Sequence, residues 1–199
     1  MAAARVPDRM KARKIVVLGA RSVGKSSLIR QFVDNSFDGV YHPTLAETSY
    51  CDVPFGGEVL ECQIIDTAGH DEYTLLSNDL VVGIHGYVLV YSITSRMSLE
   101  VLEVIYDKIL DFAGEKMPAV VVGSKSDLVQ DHQVTPAEGQ SLARKIGAPW
   151  IATSSATNQN IAQVFDLCLQ EIQRDRESKL RVMRPAEEAR PAGRNCVLM

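Results

Sequence analysis

The octapeptide Gly19-Ala20-Arg21-Ser22-Val23-Gly24-Lys25-Ser26 constrains this chain more than any other stretch. It follows the β-branched segment Lys14 to Leu18 and precedes Leu28, Ile29, Phe32 and Val33 at helical spacing. It therefore reads as the turn between a buried strand and a helix over Ser26 to Val33. In that setting Gly-x4-Gly-Lys-Ser is a phosphate loop. Its glycines let successive N–H groups turn inward as a concavity for anions, and the following helix adds its positive end. Lys25 can reach outer phosphates as a point charge, and the Ser26 hydroxyl can ligate Mg²⁺.

Downstream, apolar strands alternate with helical patterns. Thr48 to Phe55, the pair Gly56-Gly57, and Glu58 to Asp66 predict an antiparallel hairpin with a tight turn. Tyr87 to Tyr91 precedes a helical pattern from about Ser98 to Phe112. Ala119 to Gly123 precedes one from Pro136 to Ile146, and Trp150 to Ala152 precedes one from about Asn160 to Arg174. This order implies an α/β fold: a six-stranded, mostly parallel sheet with one antiparallel edge strand and helices on both faces.

Residues 1–12 read as a disordered extension, 13–174 as one domain, and 175–199 as a flexible tail rich in Arg, Glu, Pro and Ala. The net charge of −4 argues against nucleic acid as a partner. The N-terminus lacks the apolar stretch of a signal peptide, and no run is long enough to span a bilayer. That places the chain on the cytosolic side, where thiols stay reduced. Cys51, Cys62 and Cys168 lie in strand- and helix-like segments without a CxxC pair, and read as packing residues.

A phosphate loop alone does not name the base, and adenylate kinases and transport ATPases share it. Three later segments favour guanine. Asp66-Thr67-Ala68-Gly69 ends a strand, where a carboxylate can hold Mg²⁺ through water and a glycine N–H can meet the γ-phosphate. Ser124-Lys125-Ser126-Asp127 follows another strand. An aspartate there can accept from the N1 and N2 donors that guanine has and adenine lacks. Ser155-Ala156 follows the last strand and offers a backbone N–H to the guanine carbonyl.

With these motifs in order, the sequence resembles a Ras-type small GTPase over roughly residues 13–173, and within it the Rheb branch. The shared stretches are GARSVGKSSL, YHPT, DTAGHDEY, GYVLVYSITS and the terminal CVLM, and Arg21 stands where most Ras relatives carry glycine. The resemblance implies a P-loop small GTPase fold with GTP or GDP and Mg²⁺ bound. Gly19, Arg21, Ser22, Val23, Gly24, Lys25, Ser26 and Ser27 would wrap the phosphates. Phe37 would stack on guanine and Tyr41 would lie over the phosphates. Thr44 would join Ser26 and Asp66 at the metal, and Gly69 would anchor the second switch. Ser124, Lys125, Asp127, Ser155 and Ala156 would hold the base, while His70, Lys25 and Gly69 would serve hydrolysis.

Three substitutions depart from the family's pattern. His70 stands where glutamine orients the attacking water. Its shorter imidazole, with one donor and one acceptor edge, implies slow hydrolysis, and Arg21 obstructs an incoming activating arginine. Ser124 replaces the asparagine of the NKxD motif, costing one or two hydrogen bonds and hastening nucleotide exchange. Thr157 replaces the lysine of the SAK motif, whose stem covers the base.

Cys196-Val197-Leu198-Met199 is a C-a-a-X end with terminal methionine, which favours farnesyl on Cys196. One lipid chain anchors weakly, and the tail has no polybasic block. Exchange between cytosol and the cytoplasmic face of internal membranes (endomembrane, lysosome, Golgi or ER) is expected. By resemblance the partners are an effector reached through switch I (Tyr41 to Glu47) and switch II, among them the TOR kinase complex. A tuberin-type activating protein and a prenyl-binding chaperone complete the set. The alternative is a constitutively GTP-bound or weakly binding scaffold without meaningful turnover.

Overall fold

The computed structural model describes residues 12–39, 46–69, 80 and 82–183. Tyr41, Thr44, His70 and Cys196, and the expected disordered extension apart from Ala12, lie outside the described residues.

Strand β1 (Ala12–Leu18) leads through the phosphate loop into α1 (Lys25–Asp34). Strands β2 (Ala46–Phe55) and β3 (Glu58–Thr67) pair antiparallel in a hairpin closed by Gly56-Gly57, whose φ values of 60° and 82° suit a primed turn. Then come β4 (Gly86–Ser92), α2 (Arg96–Ala113), β5 (Ala119–Ser124), α3 (Pro136–Ile146), β6 (Trp150–Ala152) and α4 (Ile161–Met183). The sheet order is β2-β3-β1-β4-β5-β6, with every pairing parallel except β2 with β3. The expected α/β architecture is observed.

The central parallel strands β1, β4 and β5 are buried on both faces over most of their length, which is why they read as continuous apolar runs. Odd residues of β1 (Ile15, Val17) pack with α1 and α4 through Leu28, Val164, Phe165 and Cys168. Even ones (Val16, Leu18) pack with α2 and α3 through Leu102, Ile105, Ile109 and Leu142. Fully burying one such aliphatic side chain stabilises by roughly 1.5–3 kcal/mol. Cys62 and Cys168 sit in this core and all three described cysteines are unbridged, as expected of packing residues. Helix α3 starts with a complete capping box: the Thr135 hydroxyl accepts from Glu138 N–H while the Glu138 carboxylate accepts from Thr135 N–H (2.8 Å).

One boundary differs from the sequence reading. Helix α4 runs to Met183 instead of ending near Arg174, so the first nine residues assigned to a flexible tail are helical. The apolar stripe stops at Ile172, but straight-chain residues continue the helix and ion pairs hold it. Lys179 bridges Asp175 one turn back (3.0 Å) and Glu115 just beyond α2 (2.9 Å). No helix among the described residues is long and apolar enough to cross a membrane.

Candidate nucleotide-binding site

The phosphate loop lies where β1 meets α1, at the carboxyl edge of the parallel sheet, which is where such sheets bind ligands. Gly19 is obligatory there. A Cβ on it would stand 2.0 Å from the Val90 carbonyl oxygen of β4. Ser22 takes φ 58° and Gly24 φ 99°, so the loop curls through backbone conformations that L side chains rarely adopt. Among the described residues, the non-glycine positions at positive φ are Ser22, Asn35, Lys125, Asn158 and Asn160. All five belong to the loops on this one edge, where a site stores backbone strain.

Lys25 is buried, and its Nζ donates to the carbonyls of Gly19 (3.0 Å) and Ala20 (2.9 Å). Burial pushes its pKa down to about 8, with Asp66 nearby partly opposing the shift. The ammonium is thus held inside the loop at little more than a neutral-pH margin, ready to bind an anion.

Asp66 ends β3 almost fully buried, and its Oδ1 has no hydrogen-bond partner among the described residues. Burial raises its proton affinity; a hydrogen bond from Ser26 and the Lys25 charge oppose that, while Glu47, directly across the ladder on β2, adds to it. A buried carboxylate oxygen without a donor, beside a serine hydroxyl, fits a hard cation with few protein ligands. Next door, the Thr67 hydroxyl donates to the Val17 carbonyl (2.8 Å) and fastens the end of β3 to β1.

Gly69 follows at once. A Cβ there would stand 2.3 Å from the Arg21 Cγ, 2.4 Å from its Cα and 2.7 Å from its N. The segment after Asp66 is therefore pressed against the phosphate loop, with Arg21 itself exposed beside it.

Ser124, at the end of β5, does something the sequence did not disclose. Its buried Oγ lies 2.5 Å from the Val23 carbonyl and 2.9 Å from the Tyr91 carbonyl. One hydroxyl proton serves both acceptors. Lys125, at φ 62°, sends its Nζ to the Ser22 carbonyl (2.8 Å). Two adjacent residues thus brace two adjacent carbonyls of the phosphate loop. Ser124 was expected to make one hydrogen bond in place of an asparagine; its hydroxyl is committed to the loop.

The base side is open by comparison. Phe37 is 45% exposed, and the core aromatic at this end of α1 is Phe32, stacked on Phe165 at 4.0 Å between ring centroids. Asp127 is exposed on the turn after Lys125, a turn closed by Leu128 N–H donating to the Lys125 carbonyl (3.0 Å). Ser155 and Ala156 sit in the loop after β6. That loop is shaped by Ser154, whose Oγ accepts from Thr157 N–H (3.1 Å), and by Asn160, whose amide donates to the Ala152 carbonyl (2.8 Å). The Asn158 amide donates to the Asn35 side chain (3.1 Å), tying this loop to the end of α1. Sequence reasoning missed Asn35 and Asn158, although asparagine just past a helix or in a loop is the residue that most readily takes positive φ.

The described residues expected to hold phosphate, metal and base therefore lie together on one edge of the sheet. The Ras family's sequence profile matches residues 14–174. This chain belongs to the Ras family of GTPases. Among its relatives within that family, the GTP-binding protein rhb1 of Schizosaccharomyces pombe is 47% identical over 83% of this chain and 90% of its own. The small monomeric GTPase RhbA of Aspergillus fumigatus is 39% identical over 98% of this chain and 100% of its own. Human GTP-binding protein Rheb is 42% identical over 78% of this chain and 85% of its own. The Ras-family member described here is thus similar to Rheb homologues over most of its length.

Proposed function

We propose that this chain is a Rheb-type switch that binds GTP or GDP with Mg²⁺ and hydrolyses GTP slowly. The observation that carries the reading is the buried, donorless Asp66 Oδ1 beside Ser26 and Lys25 at the mouth of the phosphate loop. Ser26 and Asp66, with Thr44 from switch I, would hold the ion, which when bound neutralises charge on the phosphates. The loop N–H groups and Lys25 bind and orient the phosphates. Asp127 and the backbone after Ser155 select guanine. His70 in place of glutamine, with Arg21 against Gly69, supports slow turnover.

The same reading takes Cys196 as a farnesylation site and internal membranes, reached on their cytoplasmic face, as the place of action. A prenyl-binding chaperone would carry the chain between them. An effector would read switch I (Tyr41 to Glu47) and switch II in the GTP form. Similarity to Rheb homologues supports the TOR kinase complex as effector and a tuberin-type protein as activator. These two assignments rest on family analogy.

Single-turnover hydrolysis of pre-bound GTP tests the catalytic part. Turnover well below that of a glutamine-bearing Ras protein, accelerated by His70→Gln, is the expected result. A Ras-like rate indifferent to His70→Gln would refute it. Competition of GTP against ATP tests guanine selection, and imaging beside Cys196→Ser tests the anchor, equal membrane signal from both refuting it. A second reading, a scaffold that binds partners without meaningful turnover, is favoured by the exposed base side and by the Ser124 hydroxyl being committed to the loop. The nucleotide that co-purifies with the chain separates the two.

A further inference from the structure

Among the buried polar side chains, Gln31 reaches two segments at once. It lies in the second half of α1 and is only 7% exposed. One end of its amide faces two carbonyls: Ser155 at 3.3 Å, in the loop after β6, and Ser36 at 3.1 Å, just past α1. Carbonyl oxygens only accept, so that end is the amide nitrogen, and its two N–H groups serve both. The other end meets the Asn35 side chain (3.1 Å), which also meets the Asn158 amide (3.1 Å). A chain of three side-chain amides thus joins the end of α1 to the loop that carries Ser155 and Ala156.

That loop has little else to hold it. Ala156, Thr157, Asn158 and Gln159 are exposed, and Asn158 and Asn160 stand at φ 56° and 60°. Among the described residues, no side chain from Ser155 to Asn160 joins either core cluster. A segment with so few apolar contacts opens locally at low cost, so hydrogen bonds to its neighbours set its position. A second tie, from the Ser126 hydroxyl to the Gln159 side chain (3.2 Å), joins it to the turn that carries Asp127. The Gln31 amide is the buried member of this set, and a buried bond is the costlier one to leave unmade. Through Ser36 the same amide nitrogen also steadies the residue next to Phe37.

We propose that Gln31, with Asn35 and Asn158, is a positioning group for guanine. It holds the Ala156 N–H where the carbonyl at purine position 6 will lie, and so sets discrimination at that atom. This rests on the reading that Asp127 and the backbone after Ser155 select guanine. The three side chains act through the loop they hold, without touching the nucleotide.

The test compares GDP with 6-thio-GDP, in which sulfur, a weak acceptor, replaces that carbonyl oxygen. Inosine diphosphate, which lacks only the 2-amino group, serves as the second comparison. Competition against a fluorescent GDP on the full chain gives each affinity. The parent should prefer GDP over 6-thio-GDP by roughly three- to tenfold, the worth of one hydrogen bond. Gln31→Met keeps the length of the side chain without its donor, and Asn158→Gly keeps the positive φ without the amide. In both variants that preference should fall below about twofold, while the preference for GDP over inosine diphosphate, set by Asp127, stays at the parent's value. Damage spread over the whole site would instead weaken all three nucleotides together and leave both ratios unchanged. That result, or a parent indifferent to the sulfur, overturns the positioning role. A parent with no preference for GDP over ADP overturns the guanine reading on which the role rests.

Discussion

The two ends of the nucleotide site are built to different standards. At the phosphate end Lys25, Asp66 and Ser124 are buried, and the loop carbonyls of Gly19, Ala20, Ser22 and Val23 are held by the side chains of Lys25, Ser124 and Lys125. At the base end Phe37, Asp127 and Ala156 are exposed, and a threonine stands where a lysine stem covers the base in relatives of the pattern. On the proposed reading the contrast places binding free energy in a preorganised anion cradle, with the base adding selection more than grip.

The largest effect should come from removing the cradle's charge. Lys25→Ala deletes about two charge-assisted bonds to phosphate, roughly 3–6 kcal/mol, or about a hundred- to ten-thousandfold in affinity. Titration with a fluorescent GDP measures it, and a loss under tenfold would break the comparison. Next is Ser124→Ala, which leaves the Val23 and Tyr91 carbonyls without their donor at roughly 1–3 kcal/mol. GDP release followed by stopped flow should quicken about ten- to a hundredfold. Ser124→Asn, by adding reach toward the base, should slow release below the parent's rate.

The third prediction concerns pH. Lys25 keeps its charge below about 8 and loses it as pH rises past that value in the nucleotide-free protein. Nucleotide affinity should fall by up to about tenfold per pH unit above 8, because binding must then recruit a proton. Folding stability should move the other way. With the folded pKa below the unfolded one, the unfolded chain binds more protons between about 8 and the ordinary lysine value of 10.5, so stability rises with pH across that window. Calorimetry of binding in buffers of different ionisation heat would reveal the proton uptake. The smallest effect belongs to the base end: Thr157→Lys should tighten GDP less than tenfold, and a larger gain would mean that the base end was limiting.

The sequence made the layout legible because its signals are local. The β-branched runs of β1, β4 and β5, Pro136 after Thr135, and Gly56-Gly57 each act within a few residues. Gly19, Lys25 and Asp66 were equally legible, since phosphate and metal chemistry restrict residue type at fixed spacing. The Ser124 brace was not legible. Its partner Val23 lies 101 residues away, and only the tertiary fold decides which carbonyl a hydroxyl meets. The reach of α4 past Arg174 was hidden for another reason. Its apolar periodicity ends at Ile172, so the straight-chain residues beyond it read as linker by composition, and the Lys179 pair with Glu115 lies outside any window along the helix. The Gly69 contact with Arg21 is of the same kind.

The Ser124 hydroxyl also has a consequence for how firmly the loop is held. It has one proton and two carbonyls within reach, at 2.5 and 2.9 Å, so the proton that fastens the loop through Val23 is shared with β4 through Tyr91. Any turn of the hydroxyl toward Tyr91 weakens the hold on Val23. Ser124 therefore fastens the loop with a divided proton, where a side chain with two donors would serve each carbonyl fully.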